Sequence, residues 1–137
     1  MYRKIMIPVD LGHVEKLDKA LTTAADLAKH YQASLHLVGV TASTPSAVAG
    51  SPEEFAAKLN AFAAAEGAKR GLEVTAHAIV TPDPAVELDD RLGREAAEIG
   101  ADLIVMASHV PGFAEHIFSS NAGYLSAHSA ISVFVVR

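Results

Sequence analysis

The sequence contains no cysteine, which excludes disulfides, thiolate nucleophiles and cysteine metal ligands. Tryptophan is absent and aromatic residues make up only 6% of the chain, so Ala, Val, Leu and Ile must do the packing. No apolar run approaches the roughly 18 residues of a membrane-spanning helix. No signal-peptide pattern precedes the first strand-like segment, so the chain is expected in the cytoplasm. A basic face is missing as well. The formal charge is −5, with Lys and Arg scattered, which argues against a general nucleic-acid binder. Neither a phosphate-binding Walker loop nor a Gly-x-Ser-x-Gly nucleophile elbow occurs.

What is present is enough apolar material for one core. Half of the 137 residues are hydrophobic, a length close to the commonest for one domain, and residues 1–137 are expected to form it. Residues 4–9 are short, apolar and followed by Asp10, Leu11 and Gly12, which predicts a buried strand and a turn. From His13 to about Tyr31, the residues Val14, Leu17, Leu21, Ala24 and Ala28 fall at helical spacing, with Glu15, Lys19, Asp26 and Lys29 between them. Residues 33–40 read as a second strand and residues 41–50 as a loop.

Ser51, Pro52 and Glu54 then announce a helix: a cap, a proline suited to the first helical position, and the acid of a capping box. Phe55, Leu59 and Phe62 supply its buried stripe, and Gly71 marks its end. Residues 72–80 predict a third strand. Asp83 and Pro84 repeat the cap-then-proline signal. Val86, Leu88, Leu92, Ala96 and Ile99 mark a third helix that Gly100 ends. Residues 101–107 are the most apolar strand and are expected at the sheet centre. A last helix is predicted over about 119–128 and a closing strand over 131–136.

Strands that alternate with helices in this way imply an α/β fold, a doubly wound five-stranded parallel sheet with helices on both faces. In such sheets ligands sit outside the carboxyl ends of the strands where the winding reverses. That directs attention to residues 10–12 and 107–120. Asp10 ends the first strand. Its carboxylate can accept hydrogen bonds from ribose hydroxyls or help hold a metal, or it can simply satisfy local backbone N–H groups in a turn. Ser119, Ser120 and Asn121 open the last predicted helix. There they can cap it or, with its free N–H groups and positive dipole end, hold a phosphate.

The remaining histidines carry less. His36 and His77 fall within predicted strands, His30 and His128 near helix C-termini, and His13 and His116 on the surface or in loops. None forms a zinc-type spacing with a third ligand in view, so no metal site is expected. His109 beside Ser108 or Ser120 could mimic a nucleophile pair, but the sequence offers no evident orienting acid, and catalysis is not expected.

The chain resembles the universal stress protein family from end to end. The matching pieces are Ile-Met-Ile-Pro-Val-Asp at residues 5–10, Gly-Ala-Asp-Leu-Ile-Val-Met-Ala-Ser-His at residues 100–109 and Val-Phe-Val-Val-Arg at residues 133–137. The resemblance implies an adenine nucleotide alpha hydrolase-like fold with strand order 3-2-1-4-5. It also implies ATP or another adenine nucleotide, with or without Mg, and at most weak ATP hydrolysis. Nucleotide-binding members carry Gly-x2-Gly-x9-Gly-Ser/Thr, whose backbone wraps the ribose and phosphates. Here the glycine positions hold Ala107, Val110 and Ser119, and the second spacer is eight residues. Some members share the shorter spacer, and some with Ser-Ser at this point are regarded as lacking ATP binding.

Carried over by resemblance, the adenine would lie near Pro8, Val9, Asp10 and the backbone of Val40. Ribose would meet Asp10 and Ala107. Phosphates would approach His109, Val110 and the amides of Ser119, Ser120 and Asn121. The closing strand is apolar at Ile131, Val133, Val135 and Val136, and an exposed apolar edge invites association. The resemblance implies a homodimer through residues 131–136; burial under a helix of the same chain is the other reading. Three functions remain open at this point. They are a nucleotide-binding stress protein, a nucleotide-free relative acting through unidentified protein partners, and a weak hydrolase using His109.

Overall fold

The computed structural model describes residues 1–107 and 131–137. The described residues form a parallel five-stranded sheet, with β1 (Lys4–Pro8), β2 (Ser34–Ala42), β3 (Val74–Thr81), β4 (Leu103–Ala107) and β5 (Ser132–Val136) in the order β3-β2-β1-β4-β5. This is the order that the resemblance implied. The most apolar strand, β4, is paired on both sides, but the middle of the sheet is β1. Residues 119–128, where a last helix was expected, lie outside the described residues.

Both faces are covered, and the strand residues alternate between them. Ile5, Ile7, Val9, Leu35, Leu37, Leu103 and Val105 pack with α1 (Asp18–Tyr31) and α2 (Pro52–Arg70). Met6, Val38, Ile79, Ile104 and Met106 pack with Leu92, Ala96 and Ile99 of α3 (Pro84–Ile99) on the opposite face. A strand segment buried on both faces is apolar at every position, which is why residues 5–8 of β1 and all of β4 read as unbroken apolar runs rather than as alternating ones. Small residues let the helices sit close to the sheet. Gly39 of β2 faces α2, and a Cβ there would come within 2.9 Å of Phe55 Cζ.

Several boundaries move from those the sequence predicts. No α-helix runs from His13. Leu11–Lys16 form a 3-10 helix with a kink at His13 (φ −140°, ψ 43°), and α1 starts only at Asp18. Val14 is therefore 38% exposed, whereas Leu17, Leu21, Ala24 and Ala28 are buried as their spacing predicts. The cause is local: Asp10 turns its carboxylate onto Gly12 N–H at 2.9 Å and ties this segment into a tight turn. β2 extends to Ala42 because it stays paired with β3 as far as Ala42↔Thr81.

In α2, Ser51 caps by accepting from Glu54 N–H at 3.1 Å, but Glu54 returns its carboxylate to Gly50 N–H at 2.8 Å rather than to the cap residue itself. That bond, then the Lys58 ammonium, holds the Glu54 carboxyl below the usual carboxylate range. Asp83 precedes α3 without a side-chain capping bond, and Val86, placed in the buried stripe by its spacing, is 77% exposed. Gly71 and Gly100 end their helices at φ +68° and +77°, in the left-handed region where glycine carries no Cβ penalty.

Where β1 meets β4, a single carboxylate ties the strands at their amino ends. Asp102 accepts from Arg3 N–H (2.9 Å to Oδ2) and from Lys4 N–H (3.1 Å to Oδ1), while its own N–H donates to Lys4 C=O at 3.0 Å. Its C=O in turn accepts from Ser132 N–H at 3.0 Å, bringing in β5. Replacing Asp102 by Ala leaves two backbone donors without this acceptor. Urea unfolding of Asp102→Ala is expected to show a loss of about 1–3 kcal/mol with an unchanged m-value; an unaltered midpoint would mean that water serves these donors equally well.

Candidate functional site

The carboxyl ends of β1 and β4 part company. Their register holds only at Ile5↔Leu103 and Met6↔Ile104. Val105, Met106 and Ala107 continue paired with β5 alone. On the other side, β1 stays in register with β2 to Pro8↔Val38, after which β2 runs on beside β3. The chain leaves β1 through Val9, whose N–H donates to Val38 C=O at 2.9 Å, and reaches Asp10 at the mouth of the gap. β1 is where the winding reverses, since β2 and β3 lie to one side of it and β4 and β5 to the other.

Five of the residues proposed from sequence and resemblance fall at this end of the sheet. Pro8 and Val9 are buried, Val40 and Asp10 are half-buried, and Ala107 is 6% exposed at the tip of β4. His109, Val110, Ser119, Ser120 and Asn121 lie outside the described residues. Asp10 is engaged on both oxygens: Oδ1 accepts from Gly12 N–H at 2.9 Å, and Oδ2 lies 2.9 Å from His13 Nδ1. The turn reading of Asp10 is thus realised. It does not exhaust the group, because a carboxylate presents about four lone-pair directions and these two contacts occupy one on each oxygen.

Sequence reasoning missed the wall contributed by the loop over residues 43–50. The loop folds back on itself: Ser46 N–H donates to Ala49 C=O at 2.8 Å, and Ser46 Oγ accepts from the N–H groups of Val48 and Ala49 at 3.3 Å each. Ala49 is buried in the core beside α1 and α2, and Lys58 of α2 donates to Val48 C=O. Val48 is thereby held over the turn after β1, 3.5 Å from where a Cβ on Gly12 would stand. Ser46 followed by small residues was the available signal. Among the described residues the buried polar ones are Thr41 and Thr81, near the carboxyl ends of β2 and β3, where the Thr81 hydroxyl donates to the Glu87 carboxylate. No group of three or more His, Asp or Glu among the described residues could hold a metal ion, and no described helix is long and apolar enough to cross a membrane.

An open parallel sheet that reverses its winding at a parted pair of strand ends defines the doubly wound class of α/β proteins, which bind ligands in that crevice. Within that class the chain belongs to the universal stress protein family, whose model matches residues 1–137. It is 30% identical over 146 aligned positions to universal stress protein G of Shigella flexneri, with both chains covered in full. Among solved structures, a protein of this family from Burkholderia pseudomallei shares the fold with a TM-score of 0.68 at 25% identity, over 98% of this chain and 96% of that one. The universal stress protein of Archaeoglobus fulgidus in complex with dAMP does so with a TM-score of 0.68 at 21% identity, over 99% of this chain and 98% of the other.

The two contacts of Asp10 differ in kind. One satisfies a backbone donor at the start of a helical turn, and the other is an exposed pair with a ring whose side chain is 44% accessible. Asp10→Ala is expected to lower stability by about 1 kcal/mol and His13→Ala by about half of that or less, read from urea midpoints. Equal losses would mean that the His13 contact, not the Gly12 bond, holds the turn.

Proposed function

We propose that this chain is a cytoplasmic stress-response protein that takes up an adenine nucleotide, ATP or another adenylate with or without Mg, at the carboxyl ends of β1 and β4. The observation that carries the reading is the parting of β1 from β4 beyond Met6↔Ile104, with Asp10 at its mouth. The apolar surface of half-buried Val40 suits a planar base, Pro8 and Val9 are assigned beside the base as the family resemblance implies, and the free lone pairs of Asp10 suit ribose hydroxyls. His109, Val110 and the amides of Ser119, Ser120 and Asn121 are assigned to the phosphates, as the family resemblance implies. The Archaeoglobus protein of the same fold is in complex with dAMP, which supports an adenylate as the class of ligand. The protein acts by binding; no residue set for turnover beyond slow hydrolysis is proposed.

A second reading has its own support. Ala107, Val110 and Ser119 stand where nucleotide-binding relatives carry glycine, and both oxygens of Asp10 already have a partner within the turn. On this reading the chain binds no nucleotide and works through protein contacts alone. Isothermal titration with Mg-ATP, with a denaturing extract of the purified protein to detect carried nucleotide, separates the two. Micromolar binding or extracted adenylate, abolished in Asp10→Ala, supports the first reading; no heat and an empty extract support the second.

In either case we propose a homodimer through β5. That strand is an edge of the sheet in the described order, and its Phe134 is 45% exposed; large exposed apolar groups on an edge strand favour pairing with another chain. Sedimentation is expected to give a dimer for the native chain and a monomer for Phe134→Asp. A native monomer would overturn this assignment.

A further inference from the structure

Two histidines that read as isolated strand residues in the sequence meet on the α3 side of the sheet. β2 and β3 pair with His36↔Thr75 and Val38↔His77, so the two rings are diagonal neighbours on one face. His36 Nδ1 lies 2.9 Å from His77 Nε2, and the ring centroids are 5.1 Å apart. The contacts continue at both ends. His36 Nε2 lies 2.9 Å from Ser34 Oγ, and His77 Nδ1 lies 3.4 Å from Glu95 Oε1 on α3. The charged groups around the rings are Lys4 from β1, whose ammonium donates to Ile99 C=O at 3.0 Å, and Glu95 from α3. Arg91 and Glu98 sit about one turn to either side of Glu95, and exposed Glu73 precedes β3.

A nitrogen-to-nitrogen contact of this length holds one hydrogen and no more. With both rings neutral the chain of bonds runs one way: Ser34 O–H donates to His36 Nε2 and His36 Nδ1–H to His77 Nε2, which leaves the hydrogen of His77 on Nδ1, 3.4 Å from Glu95 Oε1. Placed on the ring nearer Glu95, a first added proton gives His77 an N–H at both nitrogens. The chain then reverses: His77 Nε2–H donates to His36 Nδ1, and His36 Nε2–H donates to Ser34 Oγ. The Ser34 hydroxyl is free to turn to Arg3 C=O, 3.4 Å away. A second proton would set two N–H groups and two positive charges against each other across 2.9 Å.

We propose that Ser34, His36, His77 and Glu95 form a proton-gated latch between the β2–β3 edge of the sheet and α3, closed while the two rings share one hydrogen and released when both rings are charged. This inference does not depend on nucleotide binding. Burial, then the charge of His77 and the Lys4 ammonium, holds the His36 ring below its ordinary value of 6.5. The unfolded chain therefore binds more protons than the folded one just below that pH, and stability falls as pH falls through this window. Above it His36 is neutral in both states and the latch is fully closed.

Long-range proton–nitrogen correlation spectra of the histidine rings in the full chain, followed from about pH 8 to about pH 5, test the latch directly. His36 is expected to move its hydrogen from Nδ1 to Nε2 while remaining neutral when the pair takes up its first proton. As the second proton enters, hydrogen-exchange protection should drop over β3 and persist in β1. In parallel, the unfolding constant of the native chain should rise more steeply with acid than that of His36→Gln, by up to about tenfold per pH unit below 6.5. Independent titration of the two rings without a tautomer change, or the same acid slope in both proteins, would overturn the proposal. Should His36→Gln not fold, the ring spectra of the native chain decide alone.

Discussion

The pairing of β1 with β4 is the constraint on which the rest of the structure depends. From β1 the chain winds out through β2 to β3 and then returns to the other side of β1 to lay down β4 and β5. A strand taking neighbours on both sides, with helices over both faces, has no contact with water, which accounts for Ile5, Met6 and Ile7 all being fully buried. The join is strongest at the amino end, where Asp102 answers the N–H groups of Arg3 and Lys4. It is absent at the carboxyl end, where Val105 to Ala107 belong to β5 alone. The same pairing thus closes the core at one end and leaves the two strands parted at the other.

The segments around that parting are stabilised locally, and each local bond also sets the shape of the crevice. Asp10 draws residues 11–16 into a 3-10 helix instead of a first turn of α1, which keeps Gly12 and His13 beside its carboxylate. Ser46 closes the loop on itself, and the buried methyl of Ala49 fixes it to the core, leaving Val48 over Gly12. On the outer layer, Arg70 joins α2 to α1. It donates to Glu66 at 2.7 Å, to Thr22 at 2.7 Å and to Asp18 at 3.0 Å. The Lys69 and Arg70 bonds hold the Asp18 carboxyl below the usual carboxylate range. The exposed Lys69–Asp18 pair adds little by itself, whereas the Arg70 and Glu66 side chains are only 9% and 13% exposed; the geometric effect of the cluster is to fix the spacing of the two helices that cover one face.

The two polar assemblies of the sheet face opposite tasks. Asp10 stands where the strands end and a ligand can approach, so its remaining lone pairs are chemically available. The His36–His77 pair stands near the amino ends of β2 and β3 beneath α3, where every ring nitrogen has a partner within the protein. One faces outward at the parted strand ends, and the other is closed on partners within the protein.

The sequence by itself determined the class of fold, because burial of a parallel strand on two faces leaves an unmistakable apolar run and burial of a helix on one leaves a spaced stripe. Cap and stop residues such as Ser51, Pro52, Gly71 and Gly100 likewise act within a few positions of themselves, so α2 and the end of α3 could be read directly. The position of Asp10 after the first strand marked the crevice. The tertiary structure decided whatever depends on residues far apart in the chain. The extension of β2 to Ala42 depends on β3. The exposure of Val86 depends on how α3 seats on the sheet, and the wall made by Val48 depends on the anchoring of Ala49 to the core. The meeting of His36 with His77 depends on a register of Val38 opposite His77 that no local pattern encodes. Local bonding leaves its mark in neighbouring residues; register and the packing of distant segments arise only when the whole sheet closes.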